Sequence, residues 1–302
     1  MAKRGMHISG YFPRLGLASL ILCIISGIIL TFYYRPMGNV FQNVEEITTL
    51  VPYGWFFRQL HYASGQVFVI LMLLHTVDHF LRRRYRVYSV GEWNLLIVSL
   101  GLCFFTLFTG FILKGDKEGI FAGQIFMNIL KSVPFIGAPL SKLFMVPGEG
   151  FFFLPYLYHC FFLPVLIIYF LRAHIREWLP DHKFLAFSAT GLFLYALIVR
   201  PYMDIPPDAL VGEVKGPWFF LGIQTLLKTM PATLAGLIIP GLFLLCLLAL
   251  PLARKEGRSS APSGQQGREG TARLGEAVLY YLIVGALCAY GILTIRAGIR
   301  GP

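Results

Sequence analysis

Seven apolar runs, each near the twenty residues that a helix needs to cross a hydrocarbon core about 30 Å thick, divide the chain. They lie near residues 14–34, 61–81, 93–113, 152–175, 184–203, 231–252 and 277–296. In lipid every backbone N–H and C=O must be satisfied within the protein, so continuous runs of this length leave the transmembrane helix as the available fold. The rest of the composition agrees: 56% of the 302 residues are hydrophobic, 14% are charged, and the mean hydropathy is +0.67. The expectation is an all-α transmembrane protein of seven helices. The opening "MAKRGMHISGYF" resembles the basic start of a signal peptide, but the run behind it is too long and lacks a small-residue cleavage site. It reads as a retained first span.

The net charge of +11 fits membrane topology better than nucleic-acid binding. With the N-terminus cytoplasmic, the tail and the even-numbered connections carry Lys3, Arg4, Arg14, Arg82, Arg83, Arg84, Arg86, Arg172, Arg176, Lys183, Arg254, Lys255, Arg258, Arg268 and Arg273. These are 15 of the 26 Lys and Arg residues, concentrated as the positive-inside rule expects. The stretch 254–273 is polar, basic and rich in Gly and Ser, and reads as a flexible cytoplasmic linker. Connections 114–150 and 200–217 are broken by Pro and Gly and carry aromatics, as segments do that lie along a membrane surface or fold back over a site near it. All five cysteines sit in apolar spans without CxxC or CxxCH spacing, so neither a zinc site nor covalent haem c is indicated.

Four histidines interrupt two of the spans. His61 and His75 are 14 residues apart, which at about 100° per residue sets them within roughly 40° of one helix face and about 21 Å apart along it. His159 and His174 are 15 residues apart, within about 60° of one face. Ionisable residues in a span are costly and usually face the bundle interior. Two helices with two facing histidines each make two bis-histidine levels. Each level offers two imidazoles and no carboxylate, a donor set that suits the two axial positions of haem iron better than a bare metal ion. Gly27, Gly65 and Gly110 either let a flat macrocycle approach the backbone or simply pack helices.

The segments "SGIILTFYYRP", "YGWFFRQLHYASGQVFVILMLLH", "WNLLIVSLGLCFFTLFTGF", "VPFIGAPL" and "YHCFFLP", in this order, resemble the diheme cytochrome b of quinol:cytochrome oxidoreductases. "TFYYRP" and the 15-residue histidine spacing are closest to the b6 branch. The last three spans resemble the subunit that accompanies b6 in plants, fused here to the first part. The resemblance implies residues 1–183 as a b6-like four-helix diheme bundle and 184–302 as a three-helix part. It implies two non-covalent haem b groups: His61 and His159 holding the outer one, His75 and His174 the inner one. His79 is set aside because His75 keeps the register with His61. Arg58 matches an arginine that pairs with a haem propionate, an interface anchor being the alternative. It also implies quinone sites near both surfaces, and a multisubunit, possibly dimeric complex in a bacterial inner membrane. Its expected partners are redox subunits: a Rieske protein, a cytochrome c or a dehydrogenase subunit.

The pattern departs from the family chiefly at the outer quinol site. Where the family has Pro-Glu-Trp-Tyr, this chain has Gly216, Pro217, Trp218 and Phe219, with no carboxylate. Glu213 stands four residues before Pro217. Lys114 and Gly115 replace a family Pro-Trp, with Asp116 and Glu118 beside them as alternative proton acceptors or as plain solvated acids. Asp78 occupies a usual arginine position, leaving Arg82, Arg83 or Arg84 as inner propionate partners. Tyr11 replaces the cysteine that anchors an additional haem in the b6 branch, so a third haem would be non-covalent. For an inner quinone site the candidates are Arg176, Asp181, His182 and Lys183, whose alternative role is contact with solvent or lipid headgroups. The leading expectation is an electron conductor between a quinone and a partner subunit. The runner-up is a full bifurcating quinol:cytochrome c reductase subunit with a Rieske partner, and the contrasting class is a non-redox channel or transporter using buried histidines as a proton relay.

Overall fold

The computed structural model describes residues 10–198, 206–210, 214–253 and 266–300, without the side chains of 266–273 and 300. Among them every regular element is helical. They form two compact units, residues 1–78 with 99–214, and residues 79–98 with 215–302.

The first unit opens with α1 (Tyr11–Thr31), whose Ser19 and Ser26 hydroxyls donate to the carbonyls of Leu15 and Leu22 at 2.8 and 2.7 Å. That local bond is how polar residues survive inside an apolar helix. A short amphipathic helix, α2 (Val40–Thr49), is capped by Asn39, whose side chain accepts from the Gln42 N–H. Then come α3 (Gly54–Leu81) and α4 (Val90–Ile112), which run on into the second unit at His79 and Val98 respectively. Asp116 caps α5 (Lys117–Lys131), which folds back through a tight turn onto α6 (Gly137–Phe144). A Cβ at Gly137 would lie 2.3 Å from the Lys131 carbonyl, so the turn requires glycine there.

The long helix that follows has three parts: α7 (Phe153–Leu157), a single π turn (Tyr158–Phe162) and α8 (Leu163–Trp178). Pro164 supplies no N–H for the normal ladder, and the Leu163 N–H bonds instead to the Tyr158 carbonyl, five residues back. Next, α9 (His182–Ile198) packs on α1. The bundle of α1, α3, α4 and α8 is filled at mid-depth by Phe68, Val69, Cys103 and Ile167, with Leu20, Met72, Leu107 and Leu171 around them.

The second unit contains α10 (Leu221–Leu227), α11 (Ile239–Ala249) and α12 (Gln266–Arg300) besides the ends of α3 and α4. A second π turn, Leu234–Ile238, precedes Pro240 for the same reason as the first. Its core is Phe80, Tyr85, Trp93, Ile97, Leu250 and Ile283. The Trp93 indole N–H donates to the Leu247 carbonyl at 2.9 Å.

Among the described residues five helices are long and apolar enough to cross a membrane: Tyr11–Thr31, Gly54–Leu81, Val90–Ile112, Phe153–Trp178 and Leu274–Ile299. They coincide with five of the seven expected spans. The other two are shorter, His182–Ile198 and Leu234–Ala249, the first ending where the described residues end and the second confined by Pro231 and Pro251. The helix α12 starts at Gln266, inside the stretch 254–273 read as linker, and residues 254–265 lie outside the described ones.

Within the second unit, Glu276 on α12 is almost enclosed and accepts two bonds of 2.7 Å, from the Tyr85 hydroxyl and the Arg86 guanidinium. Burial, then the Glu276 carboxylate, pushes the Tyr85 phenol well above its ordinary value, so it stays protonated and donating. Replacing Glu276 by Ala strands a buried hydroxyl and a cation, at a cost of about 1–3 kcal/mol. The expected outcome is a lower melting temperature in detergent, with Glu276→Gln retaining part of the stability.

Candidate functional site

In the first unit the four histidines meet in two facing pairs. The His61 and His159 rings lie with centroids 5.8 Å apart and planes at 79°; those of His75 and His174 are 5.9 Å apart at 41°. A metal centre about 2 Å from one nitrogen of each imidazole holds the ring centroids about 6 Å apart. Both levels meet that requirement. The extra residue in the 15-residue spacing of the second pair of positions is taken up by the π turn, which begins one residue before His159. A π turn consumes one more residue than an α turn, so His159 and His174 keep the register that His61 and His75 have on the uninterrupted α3.

How the rings at the first level are held follows from the backbone. His61 Nδ1 lies 2.9 Å from the Cys23 carbonyl oxygen, and His159 Nδ1 2.9 Å from that of Thr106. A carbonyl can only accept, so in the neutral imidazole Nδ1 carries the proton and Nε2 presents its lone pair. That is the arrangement of a metal-ligating histidine oriented by a backbone acceptor. Each carbonyl belongs to the residue one turn before a glycine. A Cβ on Gly27 would lie 2.9 Å from His61 Cε1, and one on Gly110 2.6 Å from His159 Cε1. The two glycines thus clear the space through which the imidazoles reach the helix backbone. Gly65 plays a different part, its notional Cβ meeting only Cys23 Sγ at 3.4 Å, an ordinary packing contact between α1 and α3.

At the second level His75 is buried and His174 half-buried, and the Trp178 indole packs against both, at 5.7 and 6.5 Å between centroids. Trp178 and the Cys23 and Thr106 carbonyls are the functional contacts that motif reading missed. Trp178 has a usable signal, an aromatic four residues after His174 and so on its face; backbone carbonyls leave none.

The residues around the first level are committed to one another. Arg58 Nη1 donates to the Thr48 hydroxyl on α2 at 3.0 Å and is within electrostatic reach of Asp116. Asp116 is fully enclosed: it caps α5 by accepting the Gly119 N–H at 2.8 Å and pairs with Lys114 Nζ at 2.5 Å. Glu118 lies 3.5 Å from the same Lys114 nitrogen. Neither acid is the solvated loop residue of the plainer reading. Beyond the second level, Arg176 and His182 are exposed. Asp181 accepts the Phe184 N–H at 3.0 Å and pairs with Arg14 at 2.8 Å. In the second unit, Pro217 and Trp218 start a 3₁₀ turn held by the Gly216 N–H donating to Gln224 and by the Tyr290 hydroxyl donating to the Phe219 carbonyl. Glu213 lies outside the described residues.

A helical membrane-spanning bundle with paired histidines at two levels defines a class of haem-binding membrane protein. The family model Cytochrome b/b6/petB matches residues 7–178, more than half of the chain, which therefore belongs to the cytochrome b/b6 family. Cytochrome b of Schizosaccharomyces octosporus is 28% identical over 282 residues, covering 80% of this chain and 72% of that one, and cytochrome b of Rickettsia typhi is 25% identical over 269 residues, covering 76% and 68%. Cytochrome b6 of Pyropia yezoensis is 31% identical over 180 residues, 56% of this chain and 81% of that one. The fold is similar to a chain of a solved hyperthermophilic respiratory Complex III, with a TM-score of 0.66 at 17% identity, covering 97% of this chain and 92% of the other.

Two expectations follow. Gly27→Ala and Gly110→Ala should each displace an imidazole and reduce the b-band of a reduced-minus-oxidised spectrum, whereas Gly65→Ala should leave it nearly intact. The Phe184 N–H bond, then the Arg14 pair, hold the Asp181 carboxyl below its usual range. A carboxyl with a lowered folded-state pKa contributes stability above its unfolded value and loses it as pH falls through the folded one. Asp181→Asn should therefore lower the melting temperature at neutral pH and converge with the wild type in acid, which flattens the acid limb of the profile.

Proposed function

We propose that the chain is the diheme b-type cytochrome subunit of a membrane quinol/quinone oxidoreductase, carrying electrons across the membrane between a quinone site and a partner redox subunit. The observation that carries this is the repetition of one facing imidazole pair at two levels of one bundle. Among the described residues no three His, Cys, Asp or Glu gather as a metal site, so the donor set fits a metal that brings its own in-plane ligands. Non-covalent haem b at each level supplies a one-electron centre. His61 and His159 hold the outer one, His75 and His174 the inner one. The rise of α3 between its histidines is about 21 Å, and the layer of Phe68, Val69, Cys103 and Ile167 excludes water between them. Arg58 stands at the outer level for a propionate.

The quinone chemistry belongs on the cytoplasmic side in this reading. Arg176 and His182 are exposed there, while Asp181 is bound to Arg14 and to its own helix. The Pro217–Trp218 turn of the second unit has no carboxylate, and in the first unit Asp116 already bears a helix cap and a cation. A haem held by His61 and His159 would exchange electrons with a partner: a Rieske protein, a cytochrome c or a dehydrogenase subunit. The assembly is a multisubunit complex of a bacterial inner membrane, with the N-terminus cytoplasmic. The full bifurcating mechanism with a Rieske partner is the alternative.

A purified, folded chain should show b-type bands; their absence overturns the haem reading in favour of a non-redox membrane protein. His75→Ala or His174→Ala should remove about half of the haem signal and spare the rest. Haem-to-protein stoichiometry separates two haems from three. Outer-site quinol inhibitors should bind weakly while inner-site inhibitors block haem reoxidation; tight, activity-abolishing outer binding favours bifurcation.

A further inference from the structure

The Trp178 indole nitrogen is fully enclosed and, among the described residues, has no acceptor within hydrogen-bond reach. A buried N–H without an acceptor is costly and rare in native proteins. This one lies in a ring that touches both His75 and His174, so the missing acceptor belongs to the group that sits with those rings. Haem carries two carboxylates on its edge, and a carboxylate taken from water needs donors. Asp78, three residues after His75 on α3 and partly buried, brings a further negative charge to this end and supplies no donor in its ionised form.

We propose that Trp178 is a positioning residue of the second level, its indole N–H donating to a propionate carboxylate of the haem held between His75 and His174. The inference rests on the diheme reading above and adds to it the partner that the inner carboxylate uses. The consequence is electrostatic. A donor on the propionate draws its negative charge away from the iron and favours the reduced state, which carries one positive charge fewer. Removing the donor shifts the midpoint potential of that haem downward and leaves the other haem where it was.

Trp178→Phe keeps an aromatic ring against both histidines and removes only the N–H. The test is a redox titration of the purified wild-type and Trp178→Phe proteins, followed in the b-bands, with the low-spin spectrum recorded as a check on bis-histidine ligation. The expected result is two haems in both proteins, a lowered potential for the second-level haem alone, and an unchanged low-spin spectrum. Unchanged potentials with both haems present overturn the proposal and leave the diheme reading standing; no b-bands in the wild type overturn the diheme reading itself. Weaker inner-site inhibitor binding at an unchanged haem potential makes the acceptor a quinone carbonyl and also overturns the proposal. Should Trp178→Phe fail to fold, the ultraviolet resonance Raman band of the indole N–H in the wild-type holoprotein decides: a hydrogen-bonded Trp178 supports the proposal, and a non-bonded one refutes it.

Discussion

The bond from an imidazole Nδ1–H to a helix carbonyl is the contact around which the first histidine level is organised. It occurs twice with the same parts: Cys23, His61 and Gly27 on one side, Thr106, His159 and Gly110 on the other. A carbonyl inside an α-helix already accepts from the N–H four residues on, and its second lone pair is normally shielded by the side chain there. Glycine at that position uncovers it. The helix backbone thus supplies the acceptor that orients each imidazole, and the buried Ser26 and Thr109 hydroxyls donate to the same two carbonyls at 3.1 and 2.9 Å.

The same economy governs the register. A helix bearing ligands at two depths must return them to one face, and α3 does so by spacing alone. The α7–α8 helix has one residue too many and absorbs it in the π turn ahead of Pro164. The proline is thus both cause and remedy: it removes the N–H that would have closed the α ladder, and the widened turn that results brings His159 back into line with His174. Phe68, Val69, Cys103 and Ile167 then pack a layer that both separates the two levels and keeps water out.

The sequence made the pairing legible because histidine in a span is rare enough that periodicity can be read from four positions. It also marked five of the long helices, whose apolar runs need no tertiary help to be recognised. It did not mark the limits of the helical stretch Leu234–Ala249, where Pro231 and Pro251 shorten what hydropathy alone extends. Nor could it say which role the glycines play: Gly27 and Gly110 clear a path for the imidazoles while Gly65 packs two helices, and all three look alike until their neighbours are known. Asp116 shows the converse error of composition, since a loop acid flanked by lysines reads as solvated and is instead fully enclosed.

The two ends of the bundle differ in how they handle charge, and that difference bears on chemistry. Near His61 and His159, Lys114 binds Asp116 and lies close to Glu118, while Asp116 also caps α5, so protonating either acid must disturb an ion pair or a helix start. Near His75 and His174, Arg176 and His182 are exposed at the helix ends, and Asp181 is tied to Arg14 and to the Phe184 N–H. The first end thus holds its charges in enclosed pairs, whereas the second leaves a guanidinium and an imidazole open at the helix ends beside one surface ion pair.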